Sequence, residues 1–384
     1  MVAVTVSDYR RAARRRLPPL FFEYLDGGSY SELTLARNVA DMQALALRQR
    51  VMCDVSELST EVELFGQKLA LPLALGPIGF AGMFARRGEV QAAKAAARAG
   101  VPFCLSTVGI CSVEEVTREA PMPPWYQLYM IRDRGYMEQL LQRVAACGCP
   151  VLVFTVDLPV AGARYRDVHS GMSSAPGLMT SLRRVWQGVT HPRWLWDVQL
   201  NGRPHVFGNI VDAVPDNSGF GSFAGWVQRN FDPTVTWDDI AWVRERWKGP
   251  IVIKGILDPE DARSAIAAGV DGLVVSNHGG RQLDGGVPAS VTALPDIVEI
   301  VDGKIPVLMD GGVRSGLDVL RALALGADAC LLGRAWAYPL AAGGEQAVAK
   351  MLSLLRAELK VAMSLTGCTD VRKAGRELLV QRKL

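Results

Sequence analysis

The sequence predicts an α/β chain folded as a (β/α)8 TIM barrel, with an N-terminal helical extension and a long insertion after the fourth strand. Three observations carry this. Eight short apolar runs alternate with Ala-rich helical patterns; strands alternating with helices imply a parallel sheet, and eight units favour a closed barrel over an open one. The helical patterns stop on glycine in "ARAG", "AACG", "AAG" and "LALG", glycine being the usual C-terminal cap. Every run also ends in glycine or polar side chains, at the end where barrels of this class build their active sites.

Taken in order, residues 1–60 precede the first strand and form the extension. The first strand, "LPLALG" (71–76), lies inside "LALPLALGPIGFAGMFA" (69–85), 17 residues without a charge. Two prolines and three glycines in that stretch suit a strand and its exit loop better than a membrane-spanning helix. "GEVQAAKAAARAG" then leads to "VPFCLS" (101–106), "VEEVTREA" to "WYQLY" (125–129), and "YMEQLLQRVAACG" to "VLVFTVD" (151–157). Residues 158–249 are too many for one crossover and are taken as the insertion. The second half runs "PIVIKG" (250–255), "PEDARSAIAAG", "GLVVSNH" (272–278), "IPVLMDGG" (305–312), "GLDVLRALALG" and "ADACLLGR" (327–334). Residues 1–384 thus read as one domain.

At 49% hydrophobic and 21% charged residues the chain can bury a sizeable core. A net charge of +3 does not suggest a nucleic-acid binder, and no such module is visible. Seven cysteines without framework spacing argue for reduced thiols in a cytosolic setting. "CGC" at 147–149 is too tight for a zinc knuckle, so no metal site is expected. The opening "MVAVTVSDYRRAARRR" lacks the apolar core and cleavage site of a signal peptide.

The strand ends supply the candidate site residues. They are Pro77, Ile78 and Gly79; Ser106; Gln127 and Tyr129; Thr155 and Asp157; Lys254; Ser276 and His278; Asp310, Gly311 and Gly312; and Gly333 and Arg334. Gln127/Tyr129 and Thr155/Asp157 are two apart, which points each pair to one face. "DGGVRSG" and "LLGRA" place glycines and Arg314 and Arg334 after the last two strands, a common phosphate site in these barrels.

"SNHGGRQLD", "DGGVRSGLDVLRALALGAD", "LLGRA", "QLY", "TVD" and "GARYRD" resemble the FMN-dependent α-hydroxy acid dehydrogenase and oxidase family over essentially the whole chain. The likeness is strongest to its quinone-linked bacterial L-lactate dehydrogenases, through "DGGSYSELTLARN", "ARRGEVQAAKAA", "GARYRDVHSGMS", "THPRW" and "KGILDPEDAR". The resemblance implies oxidation of an L-2-hydroxy acid, L-lactate first, with electrons passed to membrane quinone. A mandelate-type dehydrogenase, an oxygen-using oxidase and a non-catalytic flavin-binding sensor stand as alternatives. It also implies a homo-oligomer, a tetramer in this family.

Roles follow from the same resemblance. His278 is the base, whether the α-hydrogen leaves as proton or hydride, and Asp157 pairs with it. Arg164 and Arg281 bind the substrate carboxylate, beside Tyr24 and Tyr129. Lys254 stabilises the negative charge that a flavin gains. Ser106, Gln127 and Thr155 contact its ring, with Pro77, Ile78, Gly79 and Ser276 alongside. Asp310 holds the ribityl chain. Gly311, Gly312, Arg314, Gly333 and Arg334 receive the phosphate. One phosphate site and no G-x-G-x-x-G turn favour FMN over FAD or NAD. Gly79 stands where the family's dehydrogenases tend to carry glycine and its oxidases alanine.

Within the insertion, residues 170–206 hold Arg183, Arg184, Arg193 and Arg203 against Asp197, a net +3, with Trp186, Trp194 and Trp196 among them. That composition suits an anionic membrane interface. A lid packing its tryptophans on the barrel is the alternative. The resemblance to membrane-associated members favours peripheral binding at the inner face of the cytoplasmic membrane.

Overall fold

A computed structural model of the chain describes residues 2–173, 177–213 and 229–380. Parts of the insertion, at 174–176 and 214–228, therefore lie outside the described residues. The eight expected strands form one parallel sheet: β3 (Leu73–Leu75), β4 (Cys104–Ser106), β5 (Trp125–Leu128), β6 (Leu152–Thr155), β7 (Ile251–Ile256), β8 (Gly272–Val275), β9 (Val307–Met309) and β10 (Ala329–Leu332). Their spatial order is β3-β10-β9-β8-β7-β6-β5-β4, and a parallel bridge from Leu75 to Phe103 joins the two edges. The result is a (β/α)8 barrel. Alternate strand residues Ala74, Cys104, Trp125, Val153, Val252, Val274 and Leu308 fill the interior, while the other face of each strand packs on the helices.

The glycines that close the helical patterns do so by backbone conformation. Gly100, Gly148, Gly269 and Gly326 all have positive φ, from 70° to 101°, which costs glycine nothing.

The extension contains helices Val6–Arg16, Pro19–Asp26 and Leu33–Ala44. Between the extension and the first barrel strand lies a hairpin that sequence patterning did not reveal, β1 (Val62–Leu64) and β2 (Gln67–Leu69). Its two-residue turn, Phe65-Gly66, has φ of 51° and 73°, the geometry that matches strand twist. The hairpin plugs the floor of the barrel. Leu64 and Leu69 join the interior cluster, Phe65 packs edge-on against Trp125 at 5.6 Å, and Trp125 Nε1 donates to Gln67 Oε1.

The gap at 158–249 is not all insertion. Its last helix, Asp239–Arg246, is the ordinary crossover between β6 and β7. Ahead of it come helices Tyr165–Ser170 and Leu178–Val189, and a π-helical turn, Leu195–Leu200. The three tryptophans split. Trp194 is buried, donates to the Met83 carbonyl at 2.8 Å and packs on Phe21, as expected of a lid. Trp186 and Trp196 are each 68% exposed.

Candidate functional site

The strand ends surround a cavity of about 370 Å³, lined among others by Tyr24, Gly79, Tyr129, Arg164, His278 and Arg281 on one side and by Asp310, Gly312, Arg314, Gly333 and Arg334 on the other. That size accommodates a small cofactor. Pro77, Ile78, Ser106, Thr155, Lys254 and Gly311 also line it. Gln127, Asp157 and Ser276 are not among its lining residues; Gln127 and Ser276 bond to the lining residues Ser106 and Lys254, and Asp157 to His278.

His278 occupies a left-handed conformation, φ 56°, which is costly for a residue with a Cβ. Its Nδ1 donates to Asp157 Oδ1 at 2.8 Å. That bond fixes the tautomer and leaves Nε2 as the acceptor, facing the Tyr129 hydroxyl at 3.4 Å. Burial pushes the His278 pKa down, and Lys254 adds to this; the nearby Asp157 offsets only part. The imidazole is therefore neutral at pH 7 and able to take a proton. For Asp157, burial alone would raise the pKa, but His278 and Lys254 outweigh it and keep the carboxylate ionised. Asp157 can come this close because residue 255 is glycine: at φ 118° a Cβ there would lie 2.6 Å from the Asp157 Cβ.

Two guanidiniums line the same cavity as His278. Arg281 Nη1 donates to the carbonyls of Tyr24 and Gly27 at 2.6 and 2.9 Å. Among the described residues its Nε and Nη2 make no hydrogen bond. Burial and the nearby Arg164 bring its pKa down to about 10. A guanidinium stays charged at neutral pH, so this shift marks a site that a bound anion would relieve. Arg164 sits 3.7 Å from Asp167, with its Nε buried and unpartnered among the described residues. The Tyr24 ring lies under both cations, at 4.8 Å from Arg281 and 5.9 Å from Arg164.

At the other end, Arg314 is a half-buried guanidinium whose pKa is lowered, first by desolvation and then by Arg334. Arg334 opens the helix Arg334–Thr366 and spends its fork on the carbonyls of Leu25, Gly279 and Gly27, so it offers charge more than free donors. A helix N-terminus, the glycines and two cations together suit a phosphate.

Between the ends, Lys254 Nζ donates to Ser276 Oγ at 2.9 Å and contacts Asp310 at 3.1 Å. Burial would lower its pKa, but Asp310 and Asp157 raise it overall, so it stays protonated. Gln127 Nε2, Thr155 Oγ1 and Asp310 Oδ1 are buried without partners among the described residues. Buried polar atoms are rarely left so. Three such atoms beside a cation and a phosphate cradle fit a polar, phosphorylated cofactor such as FMN.

A model of the FMN-dependent dehydrogenase family matches residues 13–381. The chain belongs to the FMN-dependent dehydrogenases. FMN is accordingly its cofactor, in agreement with the donors and acceptors just described. An L-lactate dehydrogenase of Stenotrophomonas maltophilia (strain R551-3) is 56% identical over 380 residues, 99% of each chain. The crystal structure of the monotopic membrane protein (S)-mandelate dehydrogenase superposes with a TM-score of 0.91 at 35% identity, covering 99% of this chain and 100% of that one. A mandelate oxidase structure gives 0.83 at 38% identity, covering 99% and 98%.

Three contributors to this FMN-dependent dehydrogenase's site were missed in sequence. Asp167 was quoted within "GARYRD" but given no role; it is buried at the cavity wall beside Arg164. Gly255 and Val108 had no signal of their own, since their importance lies in what a neighbouring loop requires.

Proposed function

We propose that the protein oxidises an L-2-hydroxy acid, L-lactate first, to the 2-oxo acid and passes the electrons to membrane quinone. The single observation that carries this is His278, oriented by Asp157 and lining one cavity with the guanidiniums of Arg164 and Arg281. Arg164 and Arg281 bind the carboxylate. Tyr24 and Tyr129 orient the hydroxyl group, and His278 Nε2 takes a proton from the substrate: the hydroxyl proton if the α-hydrogen leaves as a hydride, the α-proton if it leaves as a proton. Asp157 stabilises the imidazolium that results. Lys254 keeps a positive charge beside the ring site formed with Ser106, Gln127 and Thr155. Asp310 holds the ribityl chain, and Gly311, Gly312, Arg314, Gly333 and Arg334 hold the phosphate. FMN supplies the acceptor for two electrons. The 56% identical L-lactate dehydrogenase supports lactate over the bulkier mandelate.

Acceptor choice turns on Gly79. A Cβ there would lie 2.7 Å from Val108 Cγ2 and 3.5 Å from the Tyr24 hydroxyl. The glycine thus lets the loops after β3 and β4 approach closely, and a Cβ there would push Val108 away. In an anaerobic stopped-flow cell, L-lactate is expected to bleach the yellow enzyme; reoxidation should then be slow with air and fast with a quinone analogue. Gly79→Ala should raise the oxygen rate relative to the quinone rate, by about tenfold on the scale of a single repositioned contact. No bleaching with any 2-hydroxy acid would favour a sensor, and equal oxygen and quinone rates in the unmutated enzyme would make it an oxidase.

The quinone acceptor agrees with a membrane-facing helix. On Leu178–Val189, Leu178, Leu182, Val185 and Val189 share one stripe with Met179 and Trp186, and this stripe faces solvent; Leu178 and Met179 are each 77% exposed. The polar face turns inward instead. Gln187 bridges the Leu20 amide and the Ser170 carbonyl, and Arg184 donates to the Gly171 carbonyl. An apolar face turned away from the core suits a lipid interface, and no helix among the described residues is long and apolar enough to cross a membrane. We assign peripheral binding, at the anionic inner face of the cytoplasmic membrane, to this segment. Leu182→Glu with Trp186→Glu should cut sedimentation with anionic vesicles about tenfold or more while dye-linked turnover survives. Undiminished pelleting would remove the segment's role.

A further inference from the structure

We propose that Asn38, in the N-terminal extension, is a positioning residue that holds the loop carrying His278. This rests on His278 being the base. The loop departs from ordinary backbone geometry for three residues in succession: His278, Gly279 and Gly280 have φ of 56°, 66° and 72°. Such a run does not hold itself in place. Immediately before it, Asn277 forms a reciprocal amide pair with Asn38, each Nδ2 donating to the other's Oδ1 at 2.8 Å. Both side chains are buried.

The pair is locked by three further groups. Asn38 Oδ1 also accepts from the Ser290 amide at 3.2 Å, and Asn277 Oδ1 from the Gly280 amide at 3.0 Å. Backbone N–H groups only donate, so these two bonds fix which end of each side-chain amide is oxygen. Asn277 Nδ2 reaches the Pro288 carbonyl as well. At the far end of the same loop, Asp284 accepts from the amides of Leu33 and Thr34, the first residues of the Asn38 helix. Gly280 presses on that helix between the two anchors; a Cβ there would lie 2.6 Å from the Leu35 nitrogen.

Asn38 also touches the phosphate loop. A Cβ on Gly312 would lie 1.9 Å from the Asn38 carbonyl oxygen, and one on Gly311 would lie 3.3 Å from the Asn38 Cγ and Nδ2. A side-chain substitution at 38 leaves the backbone approach to Gly312 in place. Among the described residues the side chain's hydrogen bonds all go to Asn277 and Ser290, so FMN content is read beside the rate to separate the base loop from the packing on Gly311.

Asn38→Asp is the sharpest variant. It is nearly isosteric and can still accept from Asn277 and Ser290. Its second oxygen, however, would face Asn277 Oδ1, where the amide now donates. Asn277 cannot turn over to answer it without losing the Gly280 amide. FMN content and limiting rates of anaerobic flavin bleaching at saturating 2-hydroxy acid are to be measured for Asn38→Asp, Asn38→Ala, Asn277→Ala, the Asn38→Ala/Asn277→Ala pair and His278→Gln. We expect the Asn38 variants to keep FMN. Their limiting rate should fall about 10- to 100-fold, the scale of a base displaced by an ångström. Apparent substrate affinity, set by the arginines, should move less than about threefold. The double variant should be no slower than the worse single one. A limiting rate within about twofold of the unmutated enzyme, losses that multiply in the double variant, or affinity falling in step with rate would overturn the assignment. Should the alanine variant fail to fold, Asn38→Ser and Asn38→Asp carry the test. A fully active His278→Gln would show that the base assignment itself had failed; an inactive His278→Gln beside normal Asn38 variants would sink the positioning role alone.

Discussion

His278→Gln should retain FMN and lose flavin bleaching by L-lactate by about two to four orders of magnitude, the usual contribution of a general base. Glutamine can keep a hydrogen bond to Asp157, now at 2.8 Å from Nδ1, but it cannot accept a proton at neutral pH. The variant thus tests basicity more than shape. The pH profile of the unmutated enzyme gives an independent check. The base must be unprotonated, so kcat/KM falls as pH drops through the His278 pKa. Burial lowers that value from 6.5, which places the midpoint of the acid limb below 6.5. A midpoint above 6.5, or bleaching of His278→Gln at near-normal rate, would contradict the role given to this residue.

Arg281→Lys should lower kcat/KM by about 100-fold, most of it through weaker substrate binding. A charge-assisted hydrogen bond contributes about 1.5–3 kcal/mol, and this substitution disturbs more than one. Lysine keeps the charge but not the fork. One edge of Arg281 holds the Tyr24 and Gly27 carbonyls, and a single ammonium cannot serve these and a carboxylate in the same geometry. The Tyr24 ring, 4.8 Å from the guanidinium, would lose that planar partner and keep only Arg164, at 5.9 Å. Steady-state kinetics on the FMN-loaded variant decides the matter: unchanged kcat/KM for L-lactate would place the substrate carboxylate elsewhere.

Legibility in the sequence followed the physics of each feature. The barrel strands are short, apolar and regularly spaced, and the helices between them end on glycines that need positive φ, so both were visible as local patterns. The mouth residues were visible because buried polar groups at strand ends are conspicuous among apolar runs. What stayed hidden depends on contact between distant segments. Nothing local in "ELFGQKL" says that Phe65 will meet Trp125 beneath the barrel. Nothing near Asn38 announces Asn277, 239 positions away. Gly255 looks like any strand glycine until Asp157 is seen in the space its side chain would fill. The helix Leu178–Val189 shows the reverse limit. Its apolar stripe is plain in sequence, but that it faces outward follows only from Gln187 and Arg184 turning in.

The hairpin in the floor also bears on the order of events in turnover. With Phe65, Leu64 and Leu69 sealing the lower end of the barrel, the hydroxy acid and the oxo acid of the proposed reaction come and go at the opposite rim. An acceptor using that same rim would find the site free only after the first product has departed, so oxidation of one molecule and delivery of its electrons would alternate in time.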